Sequence, residues 1–143
     1  MIHRSLILDI IVDLIARTAL VFALFLLFTG HNAPGGGFVA GLVVGIAVTL
    51  RFVARGKTGI VEVVALPSEA LMGTGLALAI TTGLLGWVWG ETFLDGAKLT
   101  LELPVLGQVK ATSALPFDIG VFLVVVGLST ALVVALGEQD PTE

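Results

Sequence analysis

Apolar residues run almost unbroken through four stretches, near Leu6–Phe28, Phe38–Phe52, Glu69–Trp89 and Phe117–Leu136, with polar and turn-forming residues gathered between them. Because about 20 apolar residues cross the hydrocarbon core of a bilayer, the pattern predicts four transmembrane helices. The fold class is therefore all-α and polytopic, a single four-helix membrane domain over residues 1–143 with no soluble domain. Asp9, Asp13 and Arg17 interrupt the first run, and no small-residue cleavage site follows a short apolar core. That run reads as a retained span rather than a signal peptide.

The connections differ in kind. Gly30 to Phe38 is short, uncharged and rich in glycine, which makes Ile2–Val53 a helical hairpin. Gly30 suits the left-handed conformation that ends a helix, Pro34 blocks continuation, and Gly35, Gly36 and Gly37 permit close backbone approach. Arg55-Gly56-Lys57-Thr58-Gly59 reads as a turn-rich basic connection followed by the apolar run Ile60–Leu66. Pro67 then fits a first helical position, and Glu69 a first turn where the helix dipole favours a carboxylate. In the third connection Leu99, Leu101 and Leu103 alternate with Lys98, Thr100 and Glu102, and Gln108, Lys110 and Thr112 alternate with Val109 and Ala111 around a Pro104–Gly107 turn. This alternation predicts a small amphipathic β-hairpin on the outer membrane surface.

Within the spans, small residues recur every fourth position: Gly37, Gly41 and Gly45 in the second, Gly75, Ala79 and Gly83 in the third, Gly127, Ala131 and Ala135 in the fourth. Such seams let helix backbones approach closely. A general enrichment of small residues in membrane helices accounts for any one pair, but less well for three aligned series. The expectation is docking of these seams against larger partners.

Composition agrees: 57% hydrophobic residues, 13% charged and a mean hydropathy of +1.10 lie outside the globular range. With no cysteine there is no thiolate metal site, disulfide framework or redox motif. The net charge of −4 includes no basic patch, so nucleic acid is not a partner. Arg4, Arg51, Arg55 and Lys57 on one side, against Lys98 and Lys110 on the other, predict cytoplasmic termini. Trp87 and Trp89, with Phe93 beyond, fit an outer aromatic belt.

Candidate chemistry is sparse. Asp9, Asp13 and Arg17 form one stripe on the first helix, and counting about 20 residues back from Phe28 places Asp13 and Arg17 within the hydrocarbon layer. They form either an acid-first intrahelical pair or a contact with an ion path in a partner. Asp118, after Pro116 and the capping residues Thr112 and Ser113, fits the opening turn of the last helix. Helix-dipole stabilisation and a proton- or sodium-linked role both explain it. His31 reads as a cap or interface residue before a proton carrier, and two histidines without carboxylates at ligand spacing make no metal site. The glycine turn is not a nucleotide loop, since no Lys-Ser/Thr follows it. No catalytic residues, cofactor or enzyme activity are expected. The centres of the second, third and fourth spans carry no charge, which argues against an autonomous pump.

The turn Gly30-His31-Asn32-Ala33-Pro34-Gly35-Gly36-Gly37-Phe38 and the segment Phe117-Asp118-Ile119-Gly120-Val121 together resemble the B subunit of Mrp/Mnh-type multisubunit cation/proton antiporters. The resemblance covers most of the chain. It implies an accessory component in the cell's inner (plasma) membrane, in a complex whose larger subunits hold the main proton path and which exports Na+ against H+ import. Gly30, His31, Asn32, Pro34, Gly35, Gly36, Gly37 and Phe38 would be the family turn, and Asp13, Arg17 and Asp118 contacts to an ion path. Arg17 fits the family pattern, whereas Asp9 and Asp13 depart from it. A self-assembling four-span channel or small carrier, and a pure assembly factor, are the alternatives.

Overall fold

The computed structural model describes residues 6–30, 35–88, 99–103, 107–111 and 114–137, and the four apolar runs in it are helices. They are α1 (Leu6–Thr29), α2 (Gly36–Arg55), α4 (Ser68–Val88) and α5 (Ala114–Gly137), with a short α3 (Lys57–Val63) after α2. The chain has four helices long and apolar enough to cross a membrane. Their hydroxyls are satisfied internally: Thr18 donates to the Leu14 carbonyl at 2.9 Å and buried Thr130 to that of Val126 at 2.8 Å. A helix can therefore carry threonine into hydrocarbon without an orphaned donor.

The basic connection differs from its expected turn. Gly56, at φ 67°, ends α2 with its N–H on the Phe52 carbonyl at 2.7 Å, and the chain re-enters a helix at once as α3. Gly59 makes this possible, because a side chain there would collide with the Arg51 carbonyl. The extended residue Val64 closes α3, and Pro67, just ahead of α4, accepts the Leu71 N–H at 3.1 Å. Glu69 lies in the first turn of α4. A second correction concerns α5, which begins at Ala114 and has no acid in its first turn. Asp118 therefore belongs to its second turn, because the helix starts before Pro116, a residue tolerated where no intrahelical N–H is required.

In space the helices stand in the order α1, α2, α5, α4. α2 packs against both α1 and α5, α5 packs against α4, and α1 has no comparable contact with α4. The core runs along this row through Ala23, Leu27, Ala40, Val44, Val48, Leu71 and Val126, with Ile60 of α3 beneath. Between α4 and α5, β1 (Leu99–Leu103) pairs antiparallel with β2 (Gly107–Ala111), Leu99 opposite Ala111 and Leu103 opposite Gly107. Trp89 and Phe93 of the expected aromatic belt, and the caps Thr112 and Ser113, lie outside the described residues.

Candidate functional site

Close approach of the two inner helices begins with the glycines of α2. A side chain at Gly37 would strike the Asp118 carbonyl; at Gly41 it would come within 2.7 Å of Val125 Cβ; at Gly45, within 2.6 Å of Ser129 Oγ. The contacts advance in the same direction on both chains, so α2 and α5 run parallel. On the other side of α5, the Gly120 carbonyl lies 2.6 Å from where a Gly75 side chain would begin. Gly127 faces Met72 and the Ser68 carbonyl, so α4 and α5 run antiparallel. Gly83 is buried, Ala79 and Ala131 are half-buried, and Ala135 is exposed. Larger partners are the occupants expected of these seams; at Gly37, Gly41, Gly45, Gly75 and Gly127 the occupant is instead a helix of the same chain. These small-residue grooves are thus filled from within the chain, at the close backbone distance that glycine allows.

The charged stripe of α1 meets a matching stripe on α2. Asp13 Oδ1 accepts from Arg51 Nη2 at 2.5 Å, while Asp13 Oδ2 lies 2.7 Å from Arg17 Nη2 one turn along its own helix. Arg51 also donates through Nη1 to Glu62 of α3. Arg55 joins the same Glu62 at 2.7 Å and reaches Asp9 at 3.4 Å. Three carboxylates and three guanidinium groups thus form one balanced network across α1, α2 and α3. Arg51 is its centre, with a side chain only 7% exposed. Its Nε has no hydrogen-bond partner among the described residues. The network borders an open cleft of about 560 Å³ lined by Asp13, Arg17, Leu20, Arg51, Arg55 and Glu62.

Sequence reasoning singles out Asp13 and Arg17, and treats Arg51 and Arg55 only as orientation signals. It misses that these arginines, with Glu62, complete a network around Asp9 and Asp13. A readable signal exists. Asp9 and Asp13 are four apart, as are Arg51 and Arg55, and the pairs Asp9–Arg55 and Asp13–Arg51 are both centred on position 32, inside the turn. An antiparallel hairpin folded there brings the two stripes into register.

At the opposite end, Asp118 meets the glycine turn. Its carboxylate oxygens lie 3.5 and 3.7 Å from where a Gly36 side chain would begin, and Gly36 holds a φ of 86° that a side chain would strain. Gly35 precedes α2 and supplies no side-chain cap. The Asp118 carboxylate therefore lies beside the first turn of α2, where a negative charge is favourable to a helix N-terminus. Gly30 donates to the Leu26 carbonyl at 3.1 Å, ending α1. Buried Gly37 and exposed Phe38 open α2, while His31, Asn32 and Pro34 of the turn lie outside the described residues.

Chemically, the site pairs opposite charges across three helices. Each of Asp9, Asp13 and Glu62 is engaged by a guanidinium, and no group of three metal-ligating side chains occurs among the described residues. The two polar ends are separated by apolar helix: α2 has no charged residue from Gly36 to Leu50, and α5 none after Asp118.

Comparison with known proteins places this geometry. Residues 7–131 match MnhB, a domain related to the MnhB subunit of Na+/H+ antiporter. The chain is 36% identical over 137 residues to the B subunit of the Na(+)/H(+) antiporter of Bacillus subtilis (strain 168), covering 96% of each protein. It is 35% identical over 121 residues to the B subunit of the Na(+)/H(+) antiporter of Alkalihalophilus pseudofirmus, covering 85% of this chain and 84% of that one. A 35% identity over 120 residues relates it to the A/B subunit of a probable K(+)/H(+) antiporter of Rhizobium meliloti, covering 84% of this chain and 12% of that protein.

Proposed function

The chain belongs to the MnhB family, and on that premise we propose that it is an accessory membrane component of a multisubunit cation/proton antiporter, supporting Na+ export coupled to H+ import. It acts as one four-helix domain in the plasma membrane, with both termini and the Arg51 network on the cytoplasmic side. Other subunits of the complex are its partners, and they own the continuous ion path.

One observation carries the accessory role: the charged groups of α2, α4 and α5 sit at the helix ends, with nothing titratable in the middle of these three helices to relay a proton across. The row of helices adds to this. Its glycine grooves are occupied by neighbouring helices, which leaves no polar lumen along α2 and α5 among the described residues. The ends have defined tasks. The Asp13–Arg51–Glu62 contacts lock α1, α2 and α3 together at one side of the membrane, and Asp118 locks α5 to the start of α2 at the other. A stiff plate of helices fixed at both faces is suited to holding a larger partner's broken or mobile helices in place. By the same reading, Asp13, Arg17 and Asp118 border a path rather than constitute one.

The test is reconstitution. The purified chain in liposomes is expected to show no Na+-dependent proton flux, and the complete complex to show it. Robust exchange by the isolated chain would refute the accessory role.

A further inference from the structure

Arg17 is the most exposed member of the charged network and its only outward-facing cation among the described residues. Arg51 is buried and Arg55 mostly so, whereas the Arg17 side chain is 74% exposed, with Nη2 on Asp13. Asp13 is at the same time shared with Arg51, so Arg17 holds only part of one carboxylate. Around it on the same face of α1 stand Ile10, Leu14, Val21, Phe25 and Phe28, all exposed and all apolar. They follow helical spacing and make one continuous stripe with a single cation in it.

Depth decides what can answer that cation. With the layer counted as about 20 residues inward from Phe28, its near boundary falls by Asp9, and Arg17 lies about 12 Å inside it. A stretched arginine side chain reaches well short of that depth, so its guanidinium does not meet a lipid phosphate without thinning the bilayer. Bare exposure to hydrocarbon is costly for a charge held by half a carboxylate. The donors of the guanidinium not engaged by Asp13 form a planar fork, the geometry that a carboxylate meets in bidentate fashion.

We infer that the Ile10–Phe28 face of α1 is an interface with a transmembrane helix of another subunit, which presents an Asp or Glu carboxylate to Arg17. This deepens the accessory reading and rests on it. The surface is distinct from the glycine seams, which the chain fills itself.

A photo-crosslinking amino acid at Leu14 or Val21, in the intact complex purified in mild detergent, should yield an adduct to a membrane helix of a different subunit. Mass spectrometry should place that adduct within about one turn of an Asp or Glu. A crosslinker at Leu76 on α4, also exposed, serves as the comparison face. Arg17→Gln should lower recovery of that partner about tenfold or more, as expected when one member of a desolvated charge pair is removed. Arg17→Glu combined with Lys at the identified acid should restore it. Adducts only to lipid, only to a second copy of this chain, or to a helix with no nearby acid would overturn the interface while leaving the accessory role standing. Failure of the chain to co-purify with any other subunit would overturn both.

Discussion

Arg51 shows how one residue can be the most consequential charge in a membrane chain while looking like an ordinary flanking arginine. Removing it leaves Asp13 to Arg17 and Glu62 to Arg55 and unties α1 from α2 and α3 at the buried centre of the network, a loss of about 2 kcal/mol or more. Arg51→Leu should therefore lower the thermal unfolding midpoint of the detergent-solubilised chain markedly. Glu62→Gln, at a side chain 43% exposed, should cost about 1 kcal/mol or less. Equal effects of the two would contradict the central place given to Arg51. Asp118→Asn keeps the shape of the contact with Gly36 and removes its charge, so the complex should remain assembled while Na+-dependent proton exchange falls severalfold. Unchanged exchange would assign Asp118 to holding the helix ends alone. The acid-first spacing of Asp13 and Arg17 is visible in the sequence because it is local. The links to Arg51, Arg55 and Glu62 span tens of residues, and only the geometry of the folded hairpin brings them together.

Helices depend on what fills their grooves. The small-residue series of α2 announces a close contact from the sequence alone, since bare backbone at every fourth position has little other use in a helix. The identity of the occupant is not readable, because a glycine seam specifies distance and not partner. With α5 seated there, Gly41→Leu drives a side chain into Val125 and the Phe122 carbonyl and should separate α2 from α5 within the chain. The expected result is loss of monodisperse protein in mild detergent, before any question of assembly arises. Gly73→Ala provides the contrast: nothing lies within 4 Å of that position, and alanine is the better helix former, so the change should be neutral or stabilising by up to about 1 kcal/mol. The short helix α3 escapes a sequence reading for a related reason. Arg-Gly-Lys-Thr-Gly has turn composition, yet its second glycine serves packing on the Arg51 carbonyl rather than a bend.

For the whole molecule, the order α1, α2, α5, α4 gives a row with two broad faces rather than a closed bundle around a channel. Number and approximate limits of the long helices follow from hydropathy, which reports transfer into lipid directly. Their full lateral order does not, because the small-residue seams of α2, α4 and α5 mark close contacts without saying which helix fills each one. Orientation is checked by single cysteines at Thr58 and Gln108, which an impermeant reagent should label only from opposite sides, Gln108 from outside. Labelling of Thr58 from outside would invert the assignment of the Arg51 network to the cytoplasmic face. The register of the first hairpin also bears on how the chain enters the membrane during synthesis. α1 emerges from the ribosome carrying Asp9 and Asp13, whose counter-charges Arg55 and Arg51 are made only after the turn has passed. A helix released into lipid at that moment would carry Asp9 unneutralised and Asp13 answered by Arg17 alone. The charges of α1 are thus balanced in full only once α2 has been made, so the two helices are expected to settle in the bilayer as one electrically paired unit.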